Sequence, residues 1–434
     1  MKKVLAIAIT LVLLIGLFSG CAQKAPAPAP ESAAPAPAAS SEQQKAEEPV
    51  TISILQAQIE YVDAYNAYIA EYKKIKPNVN IDIQVLQTDY TTVLRSKIAS
   101  DATPDIFMTT AGGEIKAYAE YSADLSNEPL AAAMLESVKK DNSYEGKLLA
   151  APLVMDTFPL IYNKKLFAQA GITEMPKTLP ELEEVCKKLQ AKGITPFANG
   201  YKEWWVYKHI FQHFMAGETA DTEKLANNFI AGTTTFADHP TMMKFFDFVD
   251  LTVKYGLPKP LESDFNAEVS NFATGKAAII TGQGQWIESG VTKIDPEFEF
   301  GVMLYPVNDD PSKANVCAGA GMTLRVNKDS KVKNEAIALL NWLYTSDYGK
   351  NWFGSVAKVV SPVADATSPD MKIPKAFAEL TKQTPSSGQP INYSLDSFHQ
   401  KFGEIVQCYI GKTMTKEQAV DEIQKSWVKL GAAK

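Results

Sequence analysis

Arginine is almost absent: Arg95 and Arg325 are the only two in 434 residues. The guanidinium fork is the favoured clamp for carboxylate and phosphate groups. Its scarcity therefore argues for a neutral ligand over an anionic one, although helix N-termini can hold anions without it. Cysteine is nearly as scarce, with Cys21, Cys186, Cys317 and Cys408. The three beyond Cys21 cannot all pair, so one bridge at most is open and the fold is no disulfide scaffold. Acid outnumbers base, 50 Asp plus Glu against 43 Lys plus Arg for a net charge of -7, which argues against a nucleic-acid partner. His209 and His213 stand four apart, but no HExxH pattern or carboxylate–histidine cluster accompanies them, so no metal site is expected. The GQGQ stretch at 282–285 lacks both the full GxGxxG and a GK[ST] ending, so it is no phosphate loop and no cofactor is expected. No internal repeat is visible.

Long apolar runs are also missing, with one exception at the start. Two lysines precede an apolar run from Val4 to Phe18, then small residues, then Cys21. A core this short with basic flanks reads as a secretion signal over 1–20 and not as a spanning helix. The ending LFSGC resembles a lipoprotein signal, which would make Cys21 a lipidation site, although Phe18 departs from the commonest form. The segment 21–49 alternates Ala with Pro and has almost no large apolar side chains. It cannot bury enough surface to offset ordering, so an extended tether is expected, reaching as much as roughly 80 Å at about 3 Å per residue.

From Val50 onward the chain is ordinary globular material, long enough for two domains. TISILQ at 51–56 reads as a strand, and Tyr61, Ala64, Tyr65, Tyr68, Tyr72 and Ile75 recur at helical spacing before Pro77. Val79, Ile81, Ile83 and Val85 alternate with polar residues; a helix follows over about Tyr90 to Ser100, and PDIFMTT from Pro104 is a third strand. This β-α-β-α-β run predicts a parallel sheet. Ligands sit beyond the carboxyl ends of such strands, here Gln56–Gln58 and Thr109–Glu114.

The stretch from Glu145 to Phe197 changes character. A polar turn at Glu145 and Gly146 leads into an apolar run broken by Pro152, Asp156 and Pro159. Thr178 and Glu181 then have capping-box spacing, with Pro180 in the first turn and Gly193 past the end of a helix. LIYNKKLF with Tyr162 and Asn163, followed by MPKTLPEL at 175–182, resembles the crossover of the extracellular solute-binding family of ABC importers, the family that includes the maltose-binding protein. PDIF is similar to that family's strand running into the cleft. NFATGKAAIITGQGQWIESG from Asn271 resembles its F, two residues, GKAA, strand and G-x-W element, with Trp286 in the place of an aromatic that stacks on sugar rings. FEFGVMLYPV at 298–307 resembles its second hinge crossing, and GMTLRVN at 321–327 returns to the first sheet.

The resemblance implies an α/β, two-lobed periplasmic-binding-protein fold of type II-like topology, its central sheets flanked by helices and joined by a hinge. Lobe one would be 51–157 with 304–356, and lobe two 158–303 with 357–434. It implies a membrane-anchored protein on the extracytoplasmic face that captures a carbohydrate, a neutral oligosaccharide by the arginine argument, and delivers it to the membrane permease of an ABC importer. The folded part would be monomeric and attached through Cys21.

A sugar offers apolar C–H faces and outward hydroxyls, so its site wants aromatic planes and fixed hydrogen-bonding groups. Tyr201, Trp204, Trp205 and Trp286 are the expected planes; Gln58, Thr110, Glu114, Asp156 and Gln285 are the expected polar groups. Trp204 and Trp205 are adjacent, so they cannot share one helix face and are not both core. Asp156 falls at the hinge, where the resembled family has an acidic sugar contact. By contrast Trp342, the Phe/Met stripe at 240–256, and Ile423, Trp427 and Leu430 behind the Thr415/Gln418 capping box read as packing faces. No catalytic group stands out. SxxK at Ser137–Lys140 and Ser426–Lys429 lacks the companion SDN or KTG elements, and no carboxylate pair is singled out for glycoside hydrolysis. The chain is therefore not expected to be an enzyme. The alternatives are a non-sugar solute (an anion, polyamine or metal chelate) or a surface glycan-active enzyme.

Overall fold

The computed structural model describes residues 48–432. The expected leader, Cys21 and all but the end of the tether lie outside the described residues.

Thirteen strands, numbered in chain order, occur among the described residues. The first lobe carries β1 (Val50–Gln56), β2 (Val79–Val85), β3 (Ile106–Thr110), a small hairpin of β4 (Ser143–Tyr144) and β5 (Lys147–Leu148), and β6 (Ala151–Pro152). Then come β7 (Met155–Phe158), β8 (Leu160–Asn163), β9 (Thr195–Ala198), β10 (Ala277–Ile280), β11 (Phe300–Met303), β12 (Cys317–Ala320) and β13 (Met322–Val326). The first sheet has the order β2-β1-β3-β13-β6. As the alternation predicts, β1 is parallel to β2 and β3, with Ile54 opposite both Ile83 and Ile106. β13 returns antiparallel to β3, Leu324 opposite Met108.

The helix Val62–Ile75 buries Tyr65, Tyr68 and Tyr72. They pack on Trp342 and Trp352, with ring centroids 5.3 Å apart for Tyr68–Trp342 and 6.0 Å for Tyr65–Trp352. The polar tips are satisfied: the Tyr68 hydroxyl donates to the Leu339 carbonyl at 2.7 Å, and the Trp352 indole N–H to that of Ala64 at 2.8 Å.

The second sheet has the order β11-β8-β10-β9. The helix Leu179–Gln190 behind it starts at the Thr178/Glu181 capping box, and Lys416–Leu430 starts at that of Thr415 and Gln418. Helices Trp204–Glu218, Pro240–Lys254, Asp396–Ile410 and Lys416–Leu430 fill the core with Phe211, Phe245, Phe402 and Trp427.

β7 and β12 pair antiparallel between the two cores, Asp156 opposite Gly319. The chain passes between cores three times: through β7, through β12, and between Val363 in the first core and Ile373 in the second. The side-chain amides of Gln389 and Asn392 brace this ribbon by donating to the carbonyls of Gly319 and Ala320. The second crossing falls later than the expected one at 298–307. Leu304, Val307, Ala314 and Val316 all pack on the second-lobe side, and Ala357, Val359 and Val363 pack in the first core beyond the expected end at 356. The reason is β11, whose antiparallel pairing with β8 keeps the chain on the second sheet through Met303.

Candidate functional site

A cleft between the lobes encloses about 840 Å³ of space, part of it open to solvent. On the first-lobe side it is walled by residues just beyond the ends of β1 (Ala57, Gln58, Glu60) and β2 (Gln87, Thr88, Tyr90, Thr91). This is where a parallel sheet places its ligands. Met322 at the start of β13 adds an apolar contact surface.

The second-lobe wall is aromatic. Trp204, Trp205, Lys208 and His209 come from the first turns of one helix, Phe265 from the start of another, and Trp286 from the loop after β10. The adjacent tryptophans are both half-buried, and both face the cleft. His209 lies between Trp205 and Trp286, with ring centroids 5.4 and 5.7 Å away, and Trp286 meets Phe158 edge-on at 5.6 Å. Burial and the neighbouring Lys208 charge hold the His209 pKa down to about 3, so the ring is neutral. With Nδ1 bonded to the Gly282 carbonyl at 3.0 Å, that nitrogen carries the proton and Nε2 keeps a lone pair.

Two acidic groups are held in opposite protonation states. Asp156 lies on β7, and Gly321 leaves room for it: a Cβ there would fall 2.2 Å from its Oδ2. Burial and the charge of Glu60 push Asp156 up to about 8, against the pull of a 3.4 Å hydrogen bond from Gln285. Asp396 opens the helix Asp396–Ile410. Burial would raise it too, but the Lys208 ammonium at 2.8 Å and His399 at 3.1 Å hold it well below the usual carboxylate range. His399 in turn meets the Ser394 hydroxyl through Nε2 at 2.8 Å. The Ser394–His399–Asp396 connectivity is that of a hydrolytic triad. Ser394 is, however, completely buried and its hydroxyl also reaches the Ile391 carbonyl at 3.1 Å, so it meets no substrate. The chain of bonds serves to hold Asp396.

Of the nine expected ligand residues, Gln58, Asp156, Trp204, Trp205 and Trp286 line the cleft. Thr110, Glu114, Tyr201 and Gln285 do not. Glu114 is buried, its carboxylate accepting from the Thr110 amide at 2.9 Å and facing the Asp396 amide at 3.4 Å. The end of β3 is covered by the segment before Asp396, which approaches so closely that a Cβ on Gly112 would sit 2.3 Å from the Asn392 oxygen. Tyr201 is fully buried, its hydroxyl 2.6 Å from that of Thr252. Gln285 is spent on β7, bonding Thr157 and the Met155 carbonyl.

Sequence reasoning missed Glu60, Gln87, Lys208, His209 and Asp396. The strand-end rule applied to β2 would have found Gln87, and helical spacing of four from Trp204 and Trp205 would have found Lys208 and His209. Asp396 had no local signal. His213 turns into the core, its Nδ1 on Asn315 at 3.1 Å and its ring stacked 3.8 Å from Tyr305. No group of His, Cys, Asp and Glu suited to a metal ion occurs among the described residues, and no helix among them is long and apolar enough to cross a membrane.

Two lobes, three passages of the chain between them and a cleft walled by both define a two-lobed solute-binding fold. The profile of the bacterial extracellular solute-binding proteins matches residues 57–350, and the chain belongs to that family. It is 25% identical over 260 residues to an ABC transporter extracellular-binding protein of Pyrococcus horikoshii, covering 56% of this chain and 57% of that one. It is 23% identical over 297 residues to the melibiose/raffinose/stachyose-binding protein MelE of Bacillus subtilis, covering 63% and 65%. These matches span less than two thirds of either relative's own length. The fold is shared with a solved chitin oligosaccharide binding protein at a TM-score of 0.77 and 18% identity, over 88% of this chain and 99% of that one.

Proposed function

We propose that the chain captures a neutral oligosaccharide between its lobes and delivers it to the permease of an ABC importer, without turning it over. The observation that carries this reading is the cleft itself. Trp204, Trp205, Trp286 and Phe265 offer planes for the C–H faces of sugar rings, beside Gln58, Gln87, Asp156 and Glu60 as partners for hydroxyls. The names of MelE and of the chitin oligosaccharide binding protein point the same way. An anion is disfavoured, because the lysine of the wall is already paired with Asp396, and Glu60 and Asp156 stand beside it. Glu60 and Asp156, which a bound cation would draw into their ionised forms, favour as a second reading a solute bearing an amine. Contacts from both lobes would hold the closed arrangement over the open one. A monomer anchored through lipid at Cys21 completes the proposal.

Calorimetric titration of the chain from residue 22 onward tests it, using raffinose, stachyose, diacetylchitobiose, spermidine and inorganic phosphate, with the saccharides rechecked by chromatography. Binding of an intact saccharide is the expected result. A response to phosphate or spermidine alone would overturn the carbohydrate reading, and shortened products would make the protein an enzyme. Mass analysis of the membrane-extracted protein tests Cys21: a diacylated N-terminal cysteine is expected, and a free one refutes the anchor.

A further inference from the structure

Trp286 is a cleft aromatic whose polar atom is already committed. Its indole N–H donates to Gln283 Oε1 at 2.9 Å, and Gln283 Nε2 donates to Glu268 Oε2 at 2.6 Å. Gln283 is 1% exposed and Glu268 not at all, so both lie beneath the cleft wall, out of reach of solute. Glu268 stands on the helix Phe265–Ala273, whose first residue lines the cleft. Gly200 makes room for the carboxyl: a Cβ there would fall 2.5 Å from Glu268 Oε2. Glu268 Oε1 makes no hydrogen bond among the described residues. Burial pushes this carboxyl well above the usual carboxylate range, against hydrogen bonds from Gln283 and from the Gly200 and Thr281 backbone.

Edge contacts from Phe158 and His209 limit how far the Trp286 ring can turn; the Gln283 bond fixes the orientation they leave, and a stacking plane that turns is a poor one. We propose that Gln283, anchored by Glu268, is the positioning residue that fixes the plane of Trp286, so that the ring meets ligand through its face and not through its N–H. The inference rests on the proposed carbohydrate reading for its functional meaning, but the tether itself is testable without ligand. It also assigns a selectivity: this ring contributes to any saccharide with an exposed C–H face and does not discriminate by hydrogen bonding.

The test combines two readouts on the soluble chain with Gln283→Leu, Glu268→Gln, Trp286→Phe and the Gln283→Leu/Trp286→Phe pair. The emission of Trp286, taken as wild type minus Trp286→Phe, should shift in Gln283→Leu and stay in place in Glu268→Gln, which keeps an oxygen facing Gln283. An unchanged emission in Gln283→Leu overturns the tether, whether or not a ligand is known. For the saccharide bound best among raffinose, stachyose and diacetylchitobiose, Gln283→Leu should weaken binding about tenfold with Trp286 present, and less than twofold in the Trp286→Phe background. Equal weakening in both backgrounds would mean that Gln283 acts on general stability, and would overturn the proposal. If the wild type binds none of the three, the carbohydrate reading fails while the emission result still decides the tether.

Discussion

Gln285 holds Thr157 twice: its side-chain oxygen accepts from the Thr157 amide at 2.9 Å and from the Thr157 hydroxyl at 2.8 Å. Gln285 belongs to the loop after β10 and Thr157 to the connecting strand β7, so one buried amide fastens the ribbon to the second lobe. Replacing Gln285 with Leu strands these donors in the interior. A loss of about 1–3 kcal/mol is expected in urea unfolding. A loss below about 0.5 kcal/mol would show that the bond is dispensable.

Trp286→Ala and Trp205→Ala are expected to weaken saccharide binding by at least about tenfold each, since each removes a stacking plane. Tyr201→Phe is the contrasting case. Its hydroxyl bonds Thr252 in the core, so it should cost about 1 kcal/mol of stability and leave affinity within about twofold. Calorimetry on the three proteins separates wall from core, and a large affinity loss in Tyr201→Phe would refute the assignment.

The raised Asp156 makes the ligand-free protein sensitive to alkali. Unfolded, the carboxyl ionises near 3.8; folded, it ionises at about 8. Between those values the unfolded chain holds fewer protons, so stability falls as pH rises and levels off above about 8. From pH 6 to 8 the loss from this group is about 2 kcal/mol. Asp156→Asn removes it, so the gap in melting temperature between Asp156→Asn and wild type should widen in favour of the substitution from pH 6 to pH 9. A constant gap would show that Asp156 is ionised throughout.

Lys208→Met leaves the buried Asp396 carboxylate with His399 as its remaining partner. Breaking such a pair costs about 3–5 kcal/mol. His399 is held below its ordinary value by burial, with the Lys208 charge adding to this against the pull of Asp396. Without that charge its titration should move upward, visible by NMR of the imidazole protons. An unmoved His399 would mean the ion pair does not reach it.

Much of this architecture is legible locally. Alternation in 79–85 marks β2, helical spacing of Tyr65, Tyr68 and Tyr72 marks a buried face, and the Thr178/Glu181 and Thr415/Gln418 boxes mark two helix starts. Asp156 and Trp286 are legible through family resemblance, because each sits in a short motif. What the sequence withholds is which strand end is covered. Thr110 and Glu114 stand where a ligand would be expected, yet residues nearly three hundred positions later pack over them. Asp396 reaches the cleft by the same long-range packing. Tyr201 sits among turn residues, and Thr252, on another helix, draws its hydroxyl inward.

The threefold passage between the cores also governs assembly. β3 must wait for β13, where Phe107 faces Arg325, before the first sheet can close, and the second core must wait for Phe402 and Trp427 although its sheet ends at Met303. Neither core is built from one continuous stretch of chain. Closing such distant segments is slow compared with forming local helices. A cut anywhere between Met303 and Trp427 leaves one or both cores unfinished.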